Sequence, residues 1–184
     1  MTERINESLG RVVFSEEQIR QRVREIAADI NALYAGKSLV VICVLKGAAM
    51  FFTDLVRHLT VRPELDFVRV ASYGNDTSAT RAISFTKDIE LSLQGKHVLI
   101  VEDIVDTGRS MEFLLRQLEA RRAKSVRLCA LVDNHERREV EVNVDFPGFR
   151  ISDGFVVGYG LDYAERYREL PEIRLLDWQD SNKE

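Results

Sequence analysis

The sequence predicts an α/β fold in which helices flank a parallel, twisted β-sheet. Three short apolar runs carry this prediction, at residues 38–45, 97–102 and 125–132. Continuous runs rich in β-branched residues are typical of strands that are buried on both faces. Segments with helical patterns lie between the runs, and strands that alternate with helices usually form a parallel sheet with crossover helices.

The helices follow from local signals. Ser15 and Gln18 fit a capping box, after which apolar residues recur at helical spacing until Gly36, where we expect the helix to end. Residues 48–59 and 109–121 are predicted to form two further helices, whereas 66–73 is predicted to be another strand. Residues 145–157 and 173–177 contain shorter strand-like pieces, which we assign to a small second lobe.

Bulk composition excludes several classes of protein. The 184 residues suit one domain with a substantial core, and the net charge of −4 argues against a broadly basic nucleic-acid-binding surface. No apolar run approaches the roughly 20 residues of a membrane span. Cys43 and Cys129 lie inside apolar runs, as expected for buried free thiols in a reducing compartment. We therefore expect a cytoplasmic protein that binds neither nucleic acid nor membrane.

The strongest functional signal lies where the second apolar run ends. Glu102 and Asp103 lie at the C-terminal end of this strand, at the edge where open α/β sheets bind ligands. Thr107, Gly108 and Ser110 then lead into a helix whose first backbone N–H groups form an anion site. Carboxylates beside an anion site call for a bridging divalent cation or for sugar hydroxyls, and both suit a phosphorylated sugar. The alternative is a solvated acidic turn with an ordinary helix cap, which the coincidence of these features disfavours.

A polar segment at residues 74–80 opens a long connection without a clear core pattern before residue 97. Long connections within compact domains are usually functional or mobile. We interpret this segment as a candidate lid.

Residues 101–110 (VEDIVDTGRS) resemble the phosphoribosyl diphosphate-binding motif of the phosphoribosyltransferases. Four further segments resemble the hypoxanthine-guanine branch of that family, at residues 45–55, 72–73, 153–163 and 168–171. The similarity runs from about residue 12 to residue 176. It implies one domain over residues 1–184, with a Rossmann-like core at about 37–145 and a hood lobe built from the N-terminal and C-terminal segments.

The resemblance implies a role for each matching residue, with Asp106 as the general base near N7 of a purine. The sugar diphosphate would be held by Lys46, Gly47, Glu102, Asp103, Asp106, Thr107, Gly108, Arg109, Ser110 and Arg168. The purine would contact Asn134, Phe155, Val156 and Asp162. Mg²⁺ would bind Glu102, Asp103 and Asp162, and the flexible lid would begin at Ser72 and Tyr73.

One position departs from the pattern of the family. A lysine that donates to the purine 6-oxo group usually follows the fourth strand, where this chain has Asn134. Three explanations stay open: Asn134 donates its own NH₂ group, His135 or Arg137 replaces the lysine, or the alignment differs by one residue.

The function implied by the resemblance is purine salvage. The enzyme would join hypoxanthine or guanine to phosphoribosyl diphosphate with Mg²⁺ as cofactor, and it would form a homodimer or homotetramer. Two alternatives remain open at this point: a non-catalytic regulator that senses phosphoribosyl diphosphate, and a relative that prefers xanthine or another purine.

Overall fold

The computed structural model describes residues 6–73, 82–152 and 154–179. In chain order its elements are β1 (Asn6–Phe14), α1 (Glu16–Tyr34), β2 (Leu39–Val44), α2 (Ala49–Arg57), β3 (Glu64–Tyr73), β4 (Ala82–Lys87), β5 (His97–Val105), α3 (Arg109–Glu119), β6 (Ser125–Asp133), a 3₁₀ turn (His135–Arg137), β7 (Phe146–Arg150), β8 (Val156–Val157) and β9 (Ile173–Gln179).

Six strands form the main sheet, in the order β4-β3-β2-β5-β6-β7. All neighbouring pairs are parallel except β3 and β4, which are antiparallel at one edge. The sheet confirms the predicted α/β class.

Helices cover both faces of this sheet, which explains the continuous apolar run of β2. Val41 and Cys43 pack in one core cluster with buried residues of α1 and α2. Val40 and Ile42 pack in the other cluster with Leu114 of α3. Because neighbouring residues of a strand face opposite sides, every residue of β2 must be apolar.

The first helix begins as its sequence predicts. Ser15 and Gln18 form both hydrogen bonds of the capping box, and Gly36 adopts a left-handed φ of 70° just after the helix. The buried face contains Ile19, Val23 and Ile30. Their burial holds α1 against the sheet.

A second, antiparallel sheet has the order β1-β9-β8. No strand is predicted at residues 6–14, because their alternation of apolar and polar residues is weak. The prediction that residues 146–150 belong to a second lobe is wrong. Phe146 is buried and pairs in parallel with Cys129, so β7 extends the main sheet instead.

Two further boundaries differ from the predictions. β5 continues to Val105, because Glu102 and Ile104 still pair with β6. The connection before residue 97 is shorter than predicted, because β4 returns along β3 as an antiparallel strand. The candidate lid at 74–80 lies outside the described residues, as do the side chains of Ser72 and Tyr73, whose backbone ends β3. Among the described helices, none is long and apolar enough to cross a membrane.

Candidate active site

Two neighbouring cavities open where the parallel strands of the main sheet end. The first, of about 240 Å³, is lined by the end of β5 and the turn into α3, including Glu102, Thr107, Gly108 and Ser110. The second, of about 160 Å³, is lined by Asp103, Asn134, Arg137, Gly154, Phe155, Val156, Leu161 and Asp162. Ile104 and Asp106 line both cavities, so Asp106 lies at their junction.

The first cavity has the features of an anion site. Gly108 precedes α3 in a left-handed conformation with φ of 86°, and a Cβ there would lie 2.5 Å from the carbonyl oxygen of Val140. Only glycine fits this turn, which presents the first N–H groups of α3 to the cavity. Arg109 contributes only backbone here, since its exposed side chain forms an ion pair with Glu139 at 2.6 Å.

The buried side chain of Arg138 supports the turn between β5 and α3. Arg138 forms an ion pair with Asp133 at 2.5 Å and donates to the backbone oxygens of Asp106 and Val142. The carbonyl oxygen of Thr107 accepts from the N–H groups of two residues that follow Arg138. Sequence reasoning missed Arg138, because no motif distinguishes it from its neighbouring arginines.

Two adjacent acids occupy the end of β5. Glu102 is 7% exposed, and burial together with the neighbouring Asp103 raises the pKa of its carboxyl well above the usual range. Asp103 packs against Gly47, where an added Cβ would lie 1.6 Å from the Asp103 carboxylate. The end of β5 and the turn after β2 are therefore in direct contact.

Asp106 has one engaged and one free carboxylate oxygen. Its Oδ2 lies 3.4 Å from a guanidinium nitrogen of Arg137. Its Oδ1 is buried without a hydrogen-bond partner among the described residues. Such an oxygen is ready to accept a proton or a hydrogen bond from a ligand.

The second cavity combines aromatic and amide groups. Phe155 meets Tyr163 and Trp178 edge to face, with ring centroids 5.8 and 6.2 Å away, and remains 39% exposed. Asn134 is only 2% exposed, and its Oδ1 has no hydrogen-bond partner in the described part of the chain. The contact of Trp178 with Phe155 could not be predicted from the sequence, because β9 brings Trp178 there from a distant segment.

A third group of residues lies beside Asp103 and Gly47. Lys46 follows a cis Leu45–Lys46 peptide bond, and its Nζ lies 2.9 Å from Glu165. Arg168 contacts Asp162 at 2.7 Å and Glu165 at 3.3 Å. Hydrogen bonds from Lys46 and Arg168 hold the pKa of Glu165 below its usual value. Sequence reasoning also missed Glu165.

The predicted metal ligands are not all gathered in one cluster. Within residues 6–73, 82–152 and 154–179, no group of three or more His, Cys, Asp and Glu side chains is placed to hold a metal ion. Both carboxylate oxygens of Asp162 already accept, from Arg168 and from the N–H of Glu165. The adjacent carboxylates of Glu102 and Asp103 fit Mg²⁺, which takes one or two carboxylates together with substrate oxygens and water.

Comparison with known proteins identifies the family. The sequence pattern of the phosphoribosyl transferase domain matches residues 13–164. This range includes the acidic residues that line the two cavities, and Phe155. The chain belongs to the phosphoribosyl transferase family. Similar members include the hypoxanthine-guanine phosphoribosyltransferase of Bacillus subtilis, which is 42% identical over 91% of this chain and 93% of its own.

Other proteins that are similar to this chain have the same type of name. The hypoxanthine phosphoribosyltransferase of Escherichia coli is 44% identical over 88% of this chain and 92% of its own. A crystal structure of a hypoxanthine phosphoribosyltransferase from Staphylococcus aureus has a TM-score of 0.88 at 38% identity, covering 92% of each chain. The chain also matches the bifunctional TilS/HprT proteins of Listeria at 41–42% identity, but spans only 27% of their length.

Proposed function

We propose that this chain is a purine salvage phosphoribosyltransferase that joins hypoxanthine or guanine to 5-phosphoribosyl 1-diphosphate. The products are IMP or GMP and pyrophosphate. The observation that carries the proposal is the position of Asp106, which lines both the anion cavity and the aromatic cavity. A transfer reaction needs its two substrates in adjacent sites with a catalytic group between them.

The anion cavity is assigned to the sugar phosphate. The 5′-phosphate binds the turn at residues 106–110 through backbone N–H groups and the hydroxyls of Thr107 and Ser110. Arg109 contributes its backbone N–H. The ribose hydroxyls then face Glu102 and Asp103, and pyrophosphate meets Lys46, Gly47 and Arg168. The contact between Gly47 and Asp103 supports this arrangement, because it places the proposed pyrophosphate site next to the proposed ribose site.

Mg²⁺ is the proposed cofactor. Glu102 and Asp103 would hold it together with substrate oxygens, and Asp162 is the proposed ligand of a second ion. Asp162 must then exchange its contact with Arg168 for the metal. When bound, Mg²⁺ would neutralise charge on the leaving pyrophosphate.

The aromatic cavity is assigned to the purine. Phe155 stacks on the purine ring, because its own ring is partly exposed and is positioned by edge-to-face contacts with Tyr163 and Trp178. The backbone of Val156 pairs with the base edge, and Asn134 donates its NH₂ group to the 6-oxo oxygen. The position of Asn134 in the lining of this cavity supports this assignment, because its NH₂ group is a donor and the 6-oxo oxygen is an acceptor.

The residues of the chain assist bond cleavage at C1 of the ribose. Loss of pyrophosphate leaves an oxocarbenium-like sugar, and N9 of the purine attacks it. Asp106 accepts the proton from N7 through its free Oδ1 as N9 bonds to carbon. General base catalysis of this kind is typically worth about 10²- to 10⁴-fold. Lys46 and Arg168 stabilise the leaving group, and a lid that begins at Ser72 and Tyr73 excludes water.

The proposal extends to assembly and location. We propose a homodimer or homotetramer, supported by Met50, Leu65 and Phe67, which are large apolar side chains left 45, 45 and 38% exposed. A cytoplasmic location is supported by Cys43 and Cys129, which are both free and buried. Light scattering after size-exclusion chromatography checks the assembly.

Steady-state assays test the function directly. Each of hypoxanthine, guanine, xanthine and adenine is incubated with phosphoribosyl diphosphate and Mg²⁺, and nucleoside monophosphate and pyrophosphate are measured. We expect turnover with hypoxanthine or guanine. Tight binding of phosphoribosyl diphosphate without turnover of any base would instead favour a sensing regulator, and preferential turnover of xanthine would change the substrate.

A further inference from the structure

A single carboxylate joins the two cations that the proposed function assigns to pyrophosphate. Oε2 of Glu165 lies 2.9 Å from Nζ of Lys46 and 3.3 Å from a guanidinium nitrogen of Arg168. Both cations therefore converge on one anionic oxygen. Such an oxygen resembles, in charge and position, one oxygen of a bound phosphate group.

The turn that carries Glu165 is held in an uncommon backbone conformation. Ala164, Glu165 and Tyr167 have φ values of 49°, 65° and 78°, in the left-handed region that non-glycine residues seldom adopt. The N–H of Glu165 donates to Asp162 at 2.8 Å, and the other oxygen of Asp162 contacts Arg168. Through Asp162, the turn is therefore also linked to Arg168, the cation that Glu165 contacts.

We propose that Glu165 is an internal competitor of pyrophosphate. Its carboxylate occupies Lys46 and Arg168 while the site is empty, is displaced when the diphosphate of the substrate binds, and returns as pyrophosphate leaves. This inference rests on the proposed function, which assigns those two cations to pyrophosphate.

Exposure makes the displacement inexpensive. The side chains of Lys46 and Glu165 are 50% and 62% exposed, and exposed ion pairs are weak. A diphosphate carries several charged oxygens and so outcompetes one carboxylate. Glu165 still lowers the affinity for pyrophosphate somewhat, which favours product release, a step that often limits turnover.

The contrary interpretation is that Glu165 only positions Lys46 and Arg168 for their ligand. The two interpretations predict opposite signs. Removing a competitor tightens pyrophosphate binding, whereas removing a positioning partner weakens it. The variant Glu165→Gln separates them, because glutamine keeps the length of the side chain and loses only the charge.

Calorimetric titration with magnesium pyrophosphate provides the test. Glu165→Gln should lower the Kd for pyrophosphate about two- to fivefold, the range expected for exposed ion pairs. The difference from wild type should fade in concentrated salt, which screens the competing pair. The control is Glu169→Gln, which removes the same charge from an exposed residue next to Arg168 and should leave the Kd unchanged.

Turnover of hypoxanthine is measured on the same samples to separate the two proposals. If the wild type turns over hypoxanthine but Glu165→Gln has an unchanged or higher Kd for pyrophosphate, the role of Glu165 is wrong and the proposed function stands. An equal fall in Kd for Glu169→Gln would also contradict the role of Glu165, since the effect would then come from the net charge near the site. Absence of both turnover and pyrophosphate binding in the wild type would instead contradict the proposed function.

Discussion

The backbone of Gly160 packs directly on the carbonyl group of Gly47. A Cβ added to Gly160 would lie 2.0 Å from that oxygen, and Gly47 itself packs on the carboxylate of Asp103. The turn after β8, the turn after β2 and the end of β5 are therefore stacked in contact. This stack brings the proposed purine, pyrophosphate and ribose sites together.

Gly160→Ala should disrupt this stack. The backbone φ of 100° disfavours any Cβ, and the added carbon would push into Gly47. A left-handed alanine costs about 1–2 kcal/mol and overpacking about 1–3 kcal/mol more. We expect a lower free energy of unfolding by about 2–5 kcal/mol in urea titrations, with a loss of kcat/KM.

The matched control is Gly36→Ala, which has a φ of 70° but open space around the position. Its free energy of unfolding should fall only by the cost of a left-handed alanine, about 1–2 kcal/mol, and its activity should be unchanged. Equal losses of stability and activity in the two variants would show that the contact with Gly47 is unimportant.

Asn134 should still select 6-oxopurines, although less sharply than a lysine. A hydrogen bond from a charged donor is worth about 1.5–3 kcal/mol and a neutral one about 0.5–1.5 kcal/mol. An amide also both donates and accepts. We expect the wild type to prefer hypoxanthine over adenine, and Asn134→Lys to increase that preference about 5- to 10-fold. The ratio of kcat/KM for the two bases measures it.

Comparable kcat/KM values for adenine and hypoxanthine in the wild type would refute this reading of Asn134. An effect of Arg137→Ala on that ratio, with none from Asn134→Lys, would transfer the role to Arg137. That residue lines the same cavity and contacts Asp106 at 3.4 Å.

Asp66 should stabilise the protein in a pH-dependent way. Burial alone would raise the pKa of Asp66, but hydrogen bonds from the N–H groups of Leu91, Phe67 and Glu90 outweigh it and lower the pKa. Asp66→Asn removes the charge and one acceptor, so we expect a loss of about 2–3 kcal/mol at neutral pH.

The sign of the pH dependence follows from the lowered pKa. The contribution is fully present above the unfolded-state pKa of about 4 and is lost as the pH falls through the folded-state value. Denaturant titrations at neutral and acid pH should therefore show a difference between wild type and Asp66→Asn that shrinks in acid. Asp29→Asn, on the exposed side of α1, is the control. A difference that stays constant with pH would contradict the assignment.

Local signals in the sequence predicted much of the fold. Ser15 and Gln18 fixed the start of α1, and the apolar run of β2 reflects helices on both faces. The end of β5 was predicted too early, because charged residues suggested an exposed turn. In the structure the strand continues beyond Glu102 to Val105, and Ile104 pairs with Val132.

Contacts between distant segments explain what the sequence could not predict. The motif at 101–110 is contiguous, and the structure brings Asp106, Gly108 and Ser110 to one cavity as the motif suggested. Glu165 meets Lys46 from 119 positions away. Trp178 reaches Phe155 only because β9 pairs with β8. Such pairings depend on topology and leave no local pattern.

In the proposed function Asp106 serves both cavities as the general base, and Asp106→Asn tests this role most directly. Asparagine keeps the shape and cannot take the proton from N7. We predict that kcat for hypoxanthine falls about 10²-fold or more, while the Kd for phosphoribosyl diphosphate changes severalfold at most. A kcat equal to that of the wild type would contradict the role of Asp106.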